Sequence, residues 1–259
     1  MTSASPRALT YTGPYEELFT ALPVEQQAEL LAVYEILADQ PDGLSVTIGN
    51  LKGGVSKTTT TVYLALMLGL KGDSVLVVDC DAVNKSSLFW CAATAEWPSN
   101  VKVVAWAGED RQGVHITGRL MAERVLQVRS KFRHVLIDTG PQMDEYLRGA
   151  LRVTDNFIIC SSPYPMDTAQ IKPSVTLAAQ VEDMKGAPVY CTVLLSRAKK
   201  NSNTLKSARG DLEEKEIAYF EQAISALEGY ATAPGSVPTD FREYVPVFRQ
   251  LVEDQVATS

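Results

Sequence analysis

Three apolar runs, VLVVD (75–79), HVLID (134–138) and NFIIC (156–160), lack the period-two alternation of a strand with one face in water. Strands covered on both faces read this way, and such strands belong to parallel sheets with helices above and below. The spacing predicts strands at Leu44–Ile48, Ser74–Asp79, Val101–Ala105, His134–Asp138, Asn156–Ser161 and Val189–Leu195. Helical periodicity fills the gaps at Lys57–Leu70, Ile116–Lys131, Met143–Val153 and Thr168–Glu182. Alternation of this kind implies βαβ units and an α/β fold, a doubly wound and mostly parallel sheet flanked by helices. Ligands in such sheets bind at the carboxyl ends of the strands, so the residues that follow the strands carry the chemistry.

Ahead of the sheet, Leu30, Leu31, Tyr34 and Leu37 recur at helical spacing between Pro23 and Pro41. Residues 1–42 are therefore expected to be an N-terminal extension with one amphipathic helix, and 43–259 the main domain. The helix packs on its own domain or serves as a dimerisation or docking arm. With 24 basic and 31 acidic side chains the net charge is −7, which excludes a uniformly basic nucleic-acid-coating protein but not a local basic patch. Cys80, Cys91, Cys160 and Cys191 form no CxxC pair, so neither a zinc site nor a disulfide scaffold is expected. The N-terminal stretch carries no apolar leader core, and the expected compartment is the cytoplasm.

The first strand runs into Gly49-Asn50-Leu51-Lys52-Gly53-Gly54-Val55-Ser56-Lys57-Thr58-Thr59, and a helix follows at once. Glycines there let successive N–H groups turn toward phosphate oxygens, and the helix adds its positive end. Lys57 is placed to reach the β- and γ-phosphates and the Thr58 hydroxyl to ligate Mg²⁺. The strict phosphate-loop pattern has glycine where this chain has Leu51 and Ser56. Ser56 is expected to need a positive φ, at a cost of about 1–2 kcal/mol.

Lys52-Gly53-Gly54-Val55-Ser56-Lys57-Thr58-Thr59 resembles the deviant Walker A motif of the ParA/MinD family of P-loop ATPases, whose mark is a second lysine, here Lys52. Asp79-Cys80-Asp81 is similar to the family's Walker A′ segment, Val135–Pro141 to Walker B, Asp155–Pro165 to its next strand and loop, and Phe241-Arg242-Glu243 to a late element. Within the family the chain looks closest to short plasmid-type ParA partition proteins. The resemblance implies ATP and Mg²⁺ as ligands, slow partner-stimulated hydrolysis, an ATP-dependent sandwich dimer, and a centromere-binding or cargo adaptor. It assigns Lys57 to the nucleotide of its own subunit and Lys52 to that of the second. Asp81 is the implied water-orienting carboxylate, supported by Asp79, and Asp138 the Mg²⁺ partner through a water. Arg197 and Pro238 are implied near the base. Ala82-Val83 stand where the family commonly has Pro-Gln, which bears on the hydrolysis rate.

Residues 197–209 hold five basic side chains and no acid. The segment reads either as a solvated face or, in the family context, as a non-specific DNA contact through Lys199, Lys200, Lys206 and Arg209, with Arg242 added. The tail 241–259 sets Arg242 and Arg249 against Glu243, Glu253 and Asp254, and Pro246 is expected to interrupt it. Such a tail has none of the clustered basic charge that anionic membranes attract, so no membrane partner is expected. A DNA-partition ATPase is the favoured function, against an ATP-gated scaffold that positions a protein assembly with little direct DNA contact, or a very slow or inactive ATPase.

Overall fold

The computed structural model describes residues 10–110, 112–141 and 144–258. Six parallel strands form the central sheet: β1 (Ser45–Gly49), β2 (Val75–Cys80), β3 (Val101–Ala105), β4 (His134–Thr139), β5 (Asn156–Ser161) and β6 (Tyr190–Leu195). Their spatial order is β3-β2-β4-β1-β5-β6, so β1 lies between β4 and β5. Each expected strand is present to within a residue at either end.

Consecutive strand residues are buried on opposite faces, which explains the unbroken apolar runs. Val75 and Val77 join one cluster, while Leu76, Val78 and Cys80 join another. The first face is covered by α2 (Val24–Ala38), α3 (Lys57–Lys71) and α9 (Tyr244–Thr258). The second is covered by α5 (Gly118–Val128), α6 (Asp144–Leu151), α7 (Ile171–Lys185) and α8 (Asn203–Glu214). The remaining helices include α1 (Glu16–Thr20) and α4 (Ser86–Ala93), with short helical segments at Pro165–Thr168 and Glu228–Thr232.

Three helices differ from their expected limits for local reasons. The expected start at Ile116 fails because Ile116 pairs with Gly108 in a small antiparallel ladder, and Thr117 caps α5 by accepting from the Leu120 N–H at 3.2 Å. The expected Met143 start lies outside the described residues, and α6 is seen from Asp144. Where a helix is expected from Thr168, one short turn ends there and α7 begins at Ile171.

α2 is not a detached arm. Leu30, Val33 and Leu37 are buried in the cluster that contains α3 and α9, and the Tyr34 hydroxyl donates to the Met67 carbonyl at 2.7 Å. Burying side chains of this size stabilises by about 1.5–3 kcal/mol each. Residues 24–38 thus share the core of the main domain, while residues 1–9 of the expected extension lie outside the described residues.

Pro246 does not break the C-terminal helix. It sits in the first turn of α9, where its missing N–H has no intrahelical acceptor to lose. Val245, Val247, Phe248, Leu251 and Val252 bury the apolar face of α9 in the core. Among the described residues no helix is long and apolar enough to cross a membrane.

Candidate nucleotide site

Residues 50–56 leave the end of β1 and turn into α3. Gly54 at φ 73° and Ser56 at φ 65°, ψ 23° make the turn, so Ser56 adopts the left-handed conformation its place in the motif requires. Ser56 is the residue capping α3, yet its side chain makes no capping bond, which leaves the first-turn N–H groups of α3 open to an anion.

A cavity of about 350 Å³ lies over this turn, lined by residues 53–59 together with Asp81, Asn84, Ser86, Asp138, Thr139 and Pro141. Lys57 is 7% exposed, and its Nζ donates to the Lys52 carbonyl at 2.8 Å. Burial pushes its ammonium below the usual lysine range. This is a poorly solvated cation at the mouth of a helix, suited to a polyanion.

Register places Asp79 and Asp138 side by side, paired across β2 and β4. Their roles differ. Asp79 is fully buried, and its two oxygens accept from the Asp81 and Leu88 N–H groups, both at 3.0 Å. It does not line the cavity; it holds the loop after β2, including the Asp81 N–H, in the supporting place the resemblance gives it. Asp138 does line the cavity, and its Oδ2 accepts from the Thr58 hydroxyl at 2.8 Å and the Ser87 hydroxyl at 2.7 Å. Its Oδ1 is buried without a partner among the described residues. Burial, then the neighbouring Asp79 charge, pushes the Asp138 carboxyl up to about 7. A buried carboxylate oxygen lacking a donor, beside a threonine hydroxyl, is what a hard divalent cation such as Mg²⁺ fits.

Asp81 lies in the following turn and also faces the cavity. Lys52 is half exposed, outside that lining, with its ammonium 3.9 Å from Asp167. Asp167 itself accepts from the Ser162 hydroxyl at 2.6 Å.

A second cavity of about 450 Å³ shares Gly54, Ser56 and Thr59 with the first and continues past Arg197 to Ile224, Ser225, Ala226, Leu227, Tyr230 and Tyr244. Arg197 is there, its guanidinium donating to the Gly54 carbonyl at 3.0 Å. Pro238 is not among its lining residues, and the segment 224–230 supplies its far wall. Sequence reasoning missed this wall because residues 224–230 carry no motif and reach the loop only through the fold. Ser87 was missed for the same reason.

The basic residues of 197–209 are partly committed. Lys199, Lys200 and Lys206 are exposed. Arg209 donates to the Glu221 carbonyl and lies 5.9 Å from the centre of the Tyr219 ring. Arg242 is apart from this group, paired with Asp240 at 3.2 Å and stacked over Tyr230 at 5.8 Å. Both arginines are thus engaged by neighbours in this structure, Arg242 through an exposed ion pair.

The AAA domain family profile matches residues 44–114. The chain is 30% identical over 190 residues to the "Maintenance of carboxysome distribution protein A" of Gloeobacter kilaueensis, covering 73% of this chain and 79% of that protein. It is 24% identical over 189 residues to "Protein ParA" of Rhizobium radiobacter, covering 72% and 80%. The solved McdA(D38A)-ATP complex from Cyanothece superimposes with a TM-score of 0.63 at 15% identity, over 84% of this chain and 98% of that one.

Proposed function

The chain belongs to the ParA/MinD family of P-loop ATPases, and we propose on that premise that it is a positioning or partition ATPase. It binds Mg-ATP over residues 52–59, pairs with a second copy when ATP is bound, and hydrolyses slowly under the control of an adaptor. The observation that carries this reading is the meeting of Lys57, Thr58 and the unpartnered Asp138 oxygen around one cavity. Thr58 and Asp138 would hold Mg²⁺, whose charge would offset that of the phosphates. Lys57 and the first turn of α3 bind and orient the phosphate chain, and Asp81 orients the attacking water.

Several features support pairing. Lys52 is outside the cavity of its own subunit and free to rotate from Asp167 toward a second one. Val83, Phe89, Tyr164 and Met166 are all exposed apolar side chains, on the segments after β2 and β5 that border the loop. Light scattering tests the proposal. ATP but not ADP should give a dimer; Lys57→Ala should lose nucleotide; Lys52→Ala should bind it and stay monomeric. A wild type that stays monomeric with saturating Mg-ATP would refute the pairing.

DNA is the proposed tether, through Lys199, Lys200 and Lys206. With three lysines per subunit and two subunits, the log–log salt slope should be roughly −5. Avidity makes that binding depend on ATP. The engagement of Arg209 and Arg242, and the carboxysome-distribution relative, favour as a second reading the positioning of a protein assembly with little direct DNA contact. Absence of DNA binding by the ATP dimer at 50 mM salt (a low ionic strength by design) selects that second reading. A cytoplasmic location goes with either.

A further inference from the structure

Asp81 is the hub of a closed turn. Its carbonyl accepts from the Lys85 N–H at 3.1 Å. Its Oδ1 accepts from the N–H groups of Val83 at 3.1 Å and Asn84 at 3.0 Å, and its Oδ2 accepts from the Asn84 side-chain amide at 3.0 Å. Oδ1 thereby spends both lone pairs on its own loop, and Oδ2 one of its two. Partial burial pushes the Asp81 carboxyl up, but the Asn84 and Val83 donors outweigh it and hold it below the usual carboxylate range. A carboxylate stabilised in this way is a poorer partner for a proton of water. Lys85, which ends the turn and leads into α4, sits at φ 47°, a conformation a lysine adopts only under constraint.

We propose that Asn84 is a positioning residue that restrains Asp81, its side-chain amide holding the carboxylate within the turn and away from the attacking water. The inference rests on the reading of this cavity as an ATPase site. All three donors come from exposed residues, so water replaces them as the turn opens, and the Asn84 amide differs in being the one whose loss leaves the backbone of the turn unchanged. The Asn84 amide is the side-chain donor that has to let go, and it lines the same cavity as Asp81, Lys57 and Asp138. Asparagine at 84 thus sets how often Asp81 is available, which gives a slow basal rate without any loss of nucleotide contacts.

The test is single-turnover hydrolysis of Mg-ATP by the wild type, Asn84→Ala, Asn84→Ser, Asp81→Ala and the Asp81→Ala/Asn84→Ala double variant, with ATP affinity and Tm measured for each. Asn84→Ala should be about fivefold faster, the size of one partly exposed hydrogen bond to a charged group. Its affinity should match the wild type, and its Tm should fall by no more than about 2–4 °C, the cost of the same bond lost from the folded state. Asn84→Ser, which keeps a hydroxyl donor, should fall back toward the wild-type rate. The double variant should be as slow as Asp81→Ala, because the gain runs through the carboxylate. An Asn84→Ala rate at or below wild type, or a gain that persists without Asp81, overturns the inference while leaving the ATPase reading intact. A wild type with no hydrolysis at saturating Mg-ATP overturns both.

Discussion

Replacing Ser56 by glycine isolates the strain in the phosphate loop. Ser56 holds φ 65°, ψ 23°, and its carbonyl accepts from both the Thr60 N–H and the Thr60 hydroxyl at 2.9 Å, which fixes that backbone as the first step into α3. The left-handed conformation costs a residue with a Cβ about 1–2 kcal/mol. Glycine removes that cost but gives the unfolded chain more freedom, about 0.4–1 kcal/mol in its favour. The side chain makes no capping bond, so no further loss is charged against the change. The net gain is about 0.5–1 kcal/mol, or a Tm increase of roughly 1–4 °C for a chain of this size. Because the turn into α3 fixes the conformation, the relief should appear in stability and leave Mg-ADP affinity within about twofold, since 0.4 kcal/mol is a factor of two. Scanning calorimetry and titration calorimetry on the wild type, Ser56→Gly and Ser56→Ala provide the comparison. Ser56→Ala keeps the Cβ and should show no gain. A Tm for Ser56→Gly below wild type, or an equal gain in Ser56→Ala, would refute the strain argument.

Asp138→Asn should remove a pH dependence as well as a metal partner. With the folded carboxyl raised to about 7 and the unfolded one near 4, the folded state holds the extra proton between those values, so the Asp138 contribution to wild-type stability in EDTA falls as pH rises from about 4 to 7. The variant should lack that decline, worth up to about 4 kcal/mol, and should gain nothing from Mg²⁺ beyond nucleotide alone; parallel urea curves for the two proteins would contradict this. Leu30→Ala should cost about 2–5 kcal/mol in global unfolding, because Leu30 is fully buried with α3 and α9; a change under about 0.5 kcal/mol would show that α2 is peripheral. His134 accepts from the Leu44 N–H at Nδ1 and faces Asp73 through Nε2 at 3.0 Å. Burial pushes its pKa below the unfolded value, so the unfolded chain takes up the proton first and the His134 contribution to stability falls as pH drops below about 6.5, opposite in sign to that of Asp138. His134→Asn should lose less over that range in chemical denaturation, and an equal loss would assign the acid sensitivity elsewhere.

The three apolar runs marked β2, β4 and β5 as strands buried on both faces, and their alternation with helical segments gave the parallel direction of the sheet. Gly54, Lys57 and Thr58 were legible for a similar reason: a loop that binds phosphate through its own backbone is contiguous in sequence. Ser56 was legible too, since its place in the motif dictates its φ whatever surrounds it. The tertiary structure decided what depends on residues far apart in the chain. It brought segment 224–230 to the loop, tied Ser87 to Asp138, and set Asp79 to hold the Asp81 and Leu88 N–H groups. It also spent Arg209 and Arg242 on their neighbours, which no count of local charge reveals. Helix α2 makes the same point. Periodicity identifies its apolar face, but only packing against α3 and α9 says what that face is buried against, because hydrophobic burial has no direction of its own.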